Sequence, residues 1–431
     1  MRFLVAALLF VSRIAAQPAQ ETTALVHATV IDGTGAAPIA DATVLIQAGR
    51  ILTVYPSSSR TPPAGAKVED LSGKWLTPGL IDAHVHLTSG RESLADHQKL
   101  LTQLLLAGVT GVRDMAGDAR QLAYLARAAR FDAPGWPDIF YSALMAGPTF
   151  FFEDARVAGI SRGLLTGSAP WARAVDATTD LRLAVAEARG TGATGIKLYA
   201  NLSAPLVKAI AREAHRQNLL VWSHGAIFPA TPGDALDAGA DVISHTAYLA
   251  WEAASHVPPD YRARAQPDFA HIRPDDPKIT ALLARMKDRG TILDATVRVF
   301  QQSAERGSAA AGLLPWVTAV TRAAHEAGVL VAAGTDSGGL VPAGNAEVGA
   351  AVVAEMALLV KQCGFTPLAA IQAATQVSAM AVGQGSDRGV ILPGRAADIV
   401  ILSADPLADI ANVRKVVEVF KDGKPFRPAG K

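Results

Sequence analysis

At 431 residues, half of them hydrophobic and only 18% charged, the chain is long enough for one large buried core with an accessory domain, or for several domains. A formal net charge of +1, without a basic run or a basic patch interleaved with aromatic residues, argues against nucleic acid or an anionic membrane surface as a partner. Cys363 is the only cysteine, which excludes an intrachain disulfide and any cysteine-based metal site.

The chain begins "MRFLVAALLFVSRIAAQPAQ": one arginine, a short apolar stretch from Phe3 to Val11, then the small residues Ala15 and Ala16. That layout predicts a secretory signal peptide over residues 1–16 and hence a secreted or periplasmic protein. The stretch is too short to span a bilayer, and no stable membrane insertion is expected from later segments. Residues 17–78 follow with "TALVHATVIDGTGAAPIADATVLIQAGRILTV", an apolar–polar alternation broken by Asp-Gly and Gly-rich turns, which predicts a meander of short strands. Residues 386–431 return to this texture in "ADIVILSADP" and "VRKVVEVFKDGKPF". The two ends are expected to pair into one small β-domain, with residues 79–385 inserted between them.

In that insert, apolar runs alternate with helical stretches such as Leu206–Gln217, Pro277–Arg289 and Leu314–Ala327. The runs are "LIDAHVHL", "GVTGVRDM", "PDIFYSALMAG", "ATGIKLYA", "NLLVWSH", "GADVISH", "GTILDATV" and "GVLVAAGTDS". Continuous apolar strands between helices are parallel strands covered on both faces, and this number of units predicts an α/β fold of the (β/α)8 (TIM) barrel kind. An open doubly wound sheet would show a Gly-rich fingerprint after its first strand, and none is there. Residues 147–176 and 247–275 are too long for simple connections. They are expected to act as lids or specificity elements at the C-terminal face, or as contacts between copies in a homo-oligomer.

The polar residues that end these runs carry the chemistry. His84 and His86, two apart on a strand, share one face. Lys197 lies in the fourth run, His224 ends the fifth, His245 the sixth, and Asp336 the eighth. Any one of them alone is compatible with a satisfied core side chain. Converging at one barrel mouth, they would be costly buried groups without a ligand, and imidazole with carboxylate suits zinc or a similar divalent ion. Lys197 paired with Asp336 would instead leave a one-metal site of His84, His86, His224 and Asp336. Tyr199, Tyr248 and Arg298 are the candidates for holding substrate. Arg113 is expected to pair with Asp114 or a neighbouring strand, and His97, His215, His256, His271 and His325 are read as non-ligands.

The stretches "LTPGLIDAHVHL", "GVTGVRD", "GTDS" and "GRAADIVIL" resemble the amidohydrolase superfamily, in particular its imidazolonepropionase-like and Xaa-Pro-dipeptidase-like branch. The resemblance implies a TIM barrel plus a β-sandwich domain assembled from both termini, and a centre of two divalent ions, zinc being the expected metal. It implies His84, His86 and Asp336 at the first ion, His224 and His245 at the second, and Lys197 between them as a carbamate. Asp336 would be the catalytic base and acid for a metal-activated hydroxide. The implied substrate is a small molecule with an amide bond, a dipeptide or N-acyl amino acid. A cyclic amide, imidazolone or lactone is the alternative, and a non-catalytic binding relative is a third reading. One departure concerns specificity: the connection from Lys197 to His224, beginning "YANLSAP", is shorter than in the dipeptidase branch and lacks its Gly-rich segment.

Overall fold

The computed structural model describes residues 21–90, 92–261, 267–305, 313–338 and 349–428. The leader expected at 1–16 lies outside the described residues, as do 262–266 of the second long excursion. No helix among the described residues is long and apolar enough to cross a membrane.

The apolar runs form one parallel sheet. Leu80–His86 is followed in space by Val109–Asp114, Asp138–Ala146, Gly195–Leu198, Leu220–His224, Val242–Ser244, Ile292–Asp294 and Val331–Ala332, each strand beside its predecessor. The eighth run is broken into two short segments. Val331 pairs with Leu293, whereas Ser337 and Gly338 pair with Val85 and His86 of the first strand. Between them the Ala83 amide donates to the Ala333 carbonyl at 3.0 Å and the Asp336 amide to the His84 carbonyl at 2.9 Å. The break has a local cause. A Cβ at position 334 would meet Asp294 Oδ1 at 2.1 Å, so only glycine fits, and Asp336 takes a left-handed φ of 50°.

Helices cover the sheet for reasons legible in their spacing. Ala204–Arg216 has proline in its first turn and buries Val207, Ile210, Ala211 and Ala214, the stripe that a 3.6-residue period lays on one face. Pro277–Arg289 is capped by the Asp276 side chain, buries Ile279, Leu282, Leu283 and Met286, and stops at Gly290 in the left-handed region.

The two chain ends meet in a second sheet of eight strands. Its path runs Lys424–Phe426, Val416–Lys421, Ile399–Leu402, Trp75–Pro78, Thr22–Val30, Ile39–Gln47, Arg50–Pro56, with Lys67–Asp70 alongside Thr22–Val30. The join is antiparallel, Ile399 opposite Pro78. Alternation puts Leu25, Val44 and Ile46 into one apolar cluster and Ala24, Val26 and Leu45 into another, so both faces bury side chains.

The first excursion is ordered rather than a simple loop. It forms helices Pro148–Glu153 and Val157–Ser161, and its short strand Ala172–Ala174 adds in parallel to Leu144–Ala146.

Candidate active site

The strand ends and the two excursions enclose a cavity of about 550 Å³. A chain of imidazoles runs along its floor, His86, His245 and His224 lining it and His84 buried beneath. Ring centroids lie 5.4 Å apart for His84 and His86, 4.8 Å for His84 and His245, and 4.7 Å for His245 and His224. Asp336 Oδ1 sits 3.2 Å from His86 Nε2 and 3.5 Å from His84 Nε2. His84, His86 and Asp336 can each point one ligand atom at a common spot, with those atoms all within 4.8 Å of one another. Lys197, buried on the neighbouring wall, donates from Nζ to the Met115 carbonyl at 2.7 Å.

Electrostatics suit this floor to a cation. Burial holds His84 and His224 well below the ordinary histidine range and takes His245 down to about 3, so the rings are neutral and offer lone pairs. Burial alone would raise the Asp336 carboxyl, but attraction to whichever of His84, His245 and His86 carries a proton, with a hydrogen bond from His86, keeps it well below the usual carboxylate range. Burial lowers the Lys197 amine to about 8. His84 Nε2 is buried and has no hydrogen-bond partner in the described structure. An orphaned acceptor beside a carboxylate and a second imidazole is what a divalent ion would satisfy.

The support beneath His84 is elaborate. Its Nδ1 donates to Asp294 Oδ2 at 2.6 Å, which fixes the tautomer that leaves Nε2 unprotonated. The same oxygen accepts from Ser244 Oγ at 2.7 Å and from Arg113 Nη2 at 3.0 Å. Arg113 therefore reaches the seventh strand, and through Nε the Ala83 carbonyl of the neighbouring first strand as expected, rather than Asp114, which caps the backbone amides of Leu87 and Ala116. His245, at a left-handed φ of 73°, is hydrogen-bonded through Nδ1 to the Thr296 hydroxyl at 2.9 Å.

Of the substrate candidates, Tyr199 and Tyr248 line the cavity, their rings 4.6 and 4.9 Å from that of His224. Arg298 does not line it. Its helix, Val297–Glu305, starts at once after the strand, the Arg298 amide is fixed by Glu355, and the guanidinium lies toward Ser337 at 3.5 Å. Among the described residues the wall's arginine is Arg156, from the first excursion, and Tyr261 comes from the second. Sequence reasoning missed Arg156, Tyr261 and Asp294. Asp294 alone carried a signal, as an acid ending the apolar run "GTILD". Among the other histidines, His27 pairs with Asp41, His97 binds the Leu87 carbonyl, His215 pairs with Asp241, His271 with Asp268, and His325 stacks on Phe365.

A parallel sheet whose strand ends gather imidazoles and a carboxylate offers a donor set suited to a divalent ion. Residues 75–426 match the Amidohydrolase family, and the chain belongs to it. It is 27% identical over 416 residues to the ochratoxinase of Aspergillus niger, covering 82% of this chain and 76% of that protein. A stretch of 116 residues is 32% identical to the imidazolonepropionase of Pseudomonas putida, 27% of either chain. Among solved structures, a Xaa-Pro dipeptidase with methionine bound in its active site superposes with a TM-score of 0.75 at 21% identity, covering 95% of this chain and 100% of that one. The A. niger ochratoxinase structure does so with 0.74 at 23%, covering 95% and 96%. At these identities the superpositions speak for a common fold.

Proposed function

We propose that the protein is a metal-dependent hydrolase that cleaves the amide bond of a small N-acyl amino acid or dipeptide-like substrate. The observation that carries this reading is the orphaned Nε2 of His84, set against His86 and Asp336 at the floor of a cavity in an Amidohydrolase family chain. The pairing of residues 331–338 with both the seventh and the first strand supports a closed (β/α)8 barrel, which would bring all the strand ends to one mouth. On the same reading the terminal sheet is a β-sandwich-like domain, and the leader at 1–16 would send the protein out of the cytoplasm.

Divalent ions bound here, zinc by the donor set, would supply Lewis acidity and make a water molecule acidic near neutral pH. His84, His86 and Asp336 would hold one ion and His224 with His245 a second. Lys197, its amine lowered by burial, would add to carbon dioxide with loss of a proton and offer the resulting anionic carbamate as a further ligand. Asp336, kept anionic by its imidazole neighbours, would take the proton of the attacking water and return it to the leaving nitrogen. Tyr199 and Tyr248 flank His224 and would contact the substrate.

The test is Asp336→Asn, which preserves shape and removes the basic oxygen. We expect kcat to fall by about 10²–10⁴-fold with little change in KM, in a sample whose metal content is measured alongside. Chelation of the wild-type protein should abolish turnover, and added divalent ion should restore it. Wild-type turnover after complete metal removal would overturn the proposal.

A further inference from the structure

Outside the floor, charged groups on the cavity wall are few, and Arg156 is the one arginine among its described lining residues. Asp154, two residues earlier, grips it fork to fork: Nε donates to Oδ1 at 2.9 Å and Nη2 to Oδ2 at 2.6 Å. Such pairing fixes the plane of the guanidinium as well as its position. The Asp154 side chain is 7% exposed and that of Arg156 56%, so the carboxylate sits behind and the cation in front. Nη2 also reaches the Tyr199 hydroxyl at 3.4 Å, and that hydroxyl lies 3.2 Å from the Tyr261 hydroxyl. Of the five guanidinium N–H donors, Nε and Nη2 use three; the two on Nη1 are uncommitted among the described residues. In the tyrosine pair one proton is shared between the oxygens and the other remains free to donate.

We propose that Arg156, with the hydroxyls of Tyr199 and Tyr261, is the receptor for a carboxylate on the substrate. It would make the site selective for amides whose leaving group is an amino acid with a free α-carboxylate. This deepens the amide-hydrolase reading and rests on it. The spacing supports the assignment. In an N-acyl amino acid three bonds separate the scissile carbonyl carbon from the carboxylate carbon, at most about 4.3 Å of summed bond lengths. The anion receptor must therefore stand close beside the hydrolytic centre. Tyr199 bridges that gap, with its ring 4.6 Å from the His224 ring and its hydroxyl against Arg156. The remaining wall, with Phe150, Phe228 and Phe300, suits an aromatic side chain.

The experiment compares N-acetyl-L-phenylalanine with N-acetyl-L-phenylalaninamide in the metal-loaded protein, following acetate release. Wild type should prefer the acid in kcat/KM. That acid-to-amide preference should collapse by about 10- to 100-fold in Arg156→Gln, the loss of a charge-assisted hydrogen bond, and by less in Arg156→Lys. Arg156→Lys keeps a cation beside Asp154, so a folded variant is available if Arg156→Gln loses stability. Calorimetric binding of 3-phenylpropanoate to wild type and Arg156→Gln supplies a readout independent of turnover, and the variant should bind it at least about tenfold more weakly. Equal use of acid and amide by wild type, or an equal fall for both in the variants, overturns the receptor and leaves amide hydrolysis standing. No acetate release from either compound, with Arg156-dependent binding of 3-phenylpropanoate, supports the receptor and overturns the reaction.

Discussion

Lys197 and Lys421 are equally hidden, each 3% exposed, yet their surroundings act on them in opposite directions. Lys421 lies at the seam between the terminal sheet and the strand Asp138–Ala146. Burial opposes its charge there, but Asp398 and Asp138 outweigh it and hold the amine above the ordinary lysine value. Its Nζ is 2.9 Å from Asp138 and 2.6 Å from Asp422, while Arg388 reaches the same two at 3.1 and 3.0 Å and also pairs with Asp398. Lys197 feels the carboxylates Asp336 and Asp114, but the cations Arg156 and Arg113 oppose them, and burial wins. A buried charge closed by opposite charges holds two parts of a chain together. A buried cluster left electrostatically open is organised for something that has yet to bind.

The sharpest way to break this contrast is to make the same substitution at both lysines. Lys421→Met leaves carboxylates short of a cation, and we expect a loss of about 3 kcal/mol, toward the low end for a broken buried pair because Arg388 remains. Metal content and kcat per folded molecule should be unchanged. Lys197→Met, measured after chelation, should cost no more than about 1 kcal/mol, since an apolar side chain replaces a poorly compensated charge. It should nevertheless lose metal and turnover. Urea unfolding with metal analysis of both proteins checks this, and equal destabilisation at the two positions would refute the distinction.

The parallel strands were legible because their apolar runs are nearly continuous and all but the third carry His, Lys or Asp near their ends, a pattern that locates the floor without any knowledge of pairing. What lies behind the floor was not. Asp294 is 210 residues from His84, and nothing local to "GTILDATV" shows that its carboxylate will meet that ring. The broken eighth strand was equally hidden, because the reason for Gly334 is Asp294 pressed against it. Arg298 looked right by position past a strand end, but helix Val297–Glu305 begins there and the guanidinium turns toward Ser337, outside the described lining of the cavity. Arg156 sits on an excursion whose length was readable and whose path was not.

Asp294 sharpens the contrast because it belongs to both kinds of region. It is matched to Arg113, as the seam carboxylates are matched, yet the same oxygen holds His84 in place. Asp294→Asn should therefore lower affinity for the divalent ion by about 10- to 100-fold, the usual cost of losing a carboxylate behind a ligating histidine. Equilibrium dialysis of the folded variant reads this directly. A variant that is less stable but binds the ion with wild-type affinity would make Asp294 a partner for Arg113 and nothing more.

Glu355 is the intermediate case, and its effect should be the smallest. From helix Ala350–Cys363 its carboxylate accepts the backbone amides of Val297 at 2.9 Å and Arg298 at 2.6 Å, one residue past the threonine that holds His245. Burial raises the carboxyl from 4.5 to about 8, although those two amides pull the other way. Between these values the native state binds more protons than the unfolded chain, so stability should decline as pH rises. The slope from one such group is at most about 1.4 kcal/mol per pH unit. Glu355→Gln keeps a carbonyl acceptor and cannot titrate, so its slope between about pH 5 and pH 8 should be flatter than that of wild type. Unfolding midpoints of the chelated proteins across this range measure the difference. Matching slopes would mean that two backbone amides keep a buried carboxylate ionised throughout, as fully as the cations do at the seam.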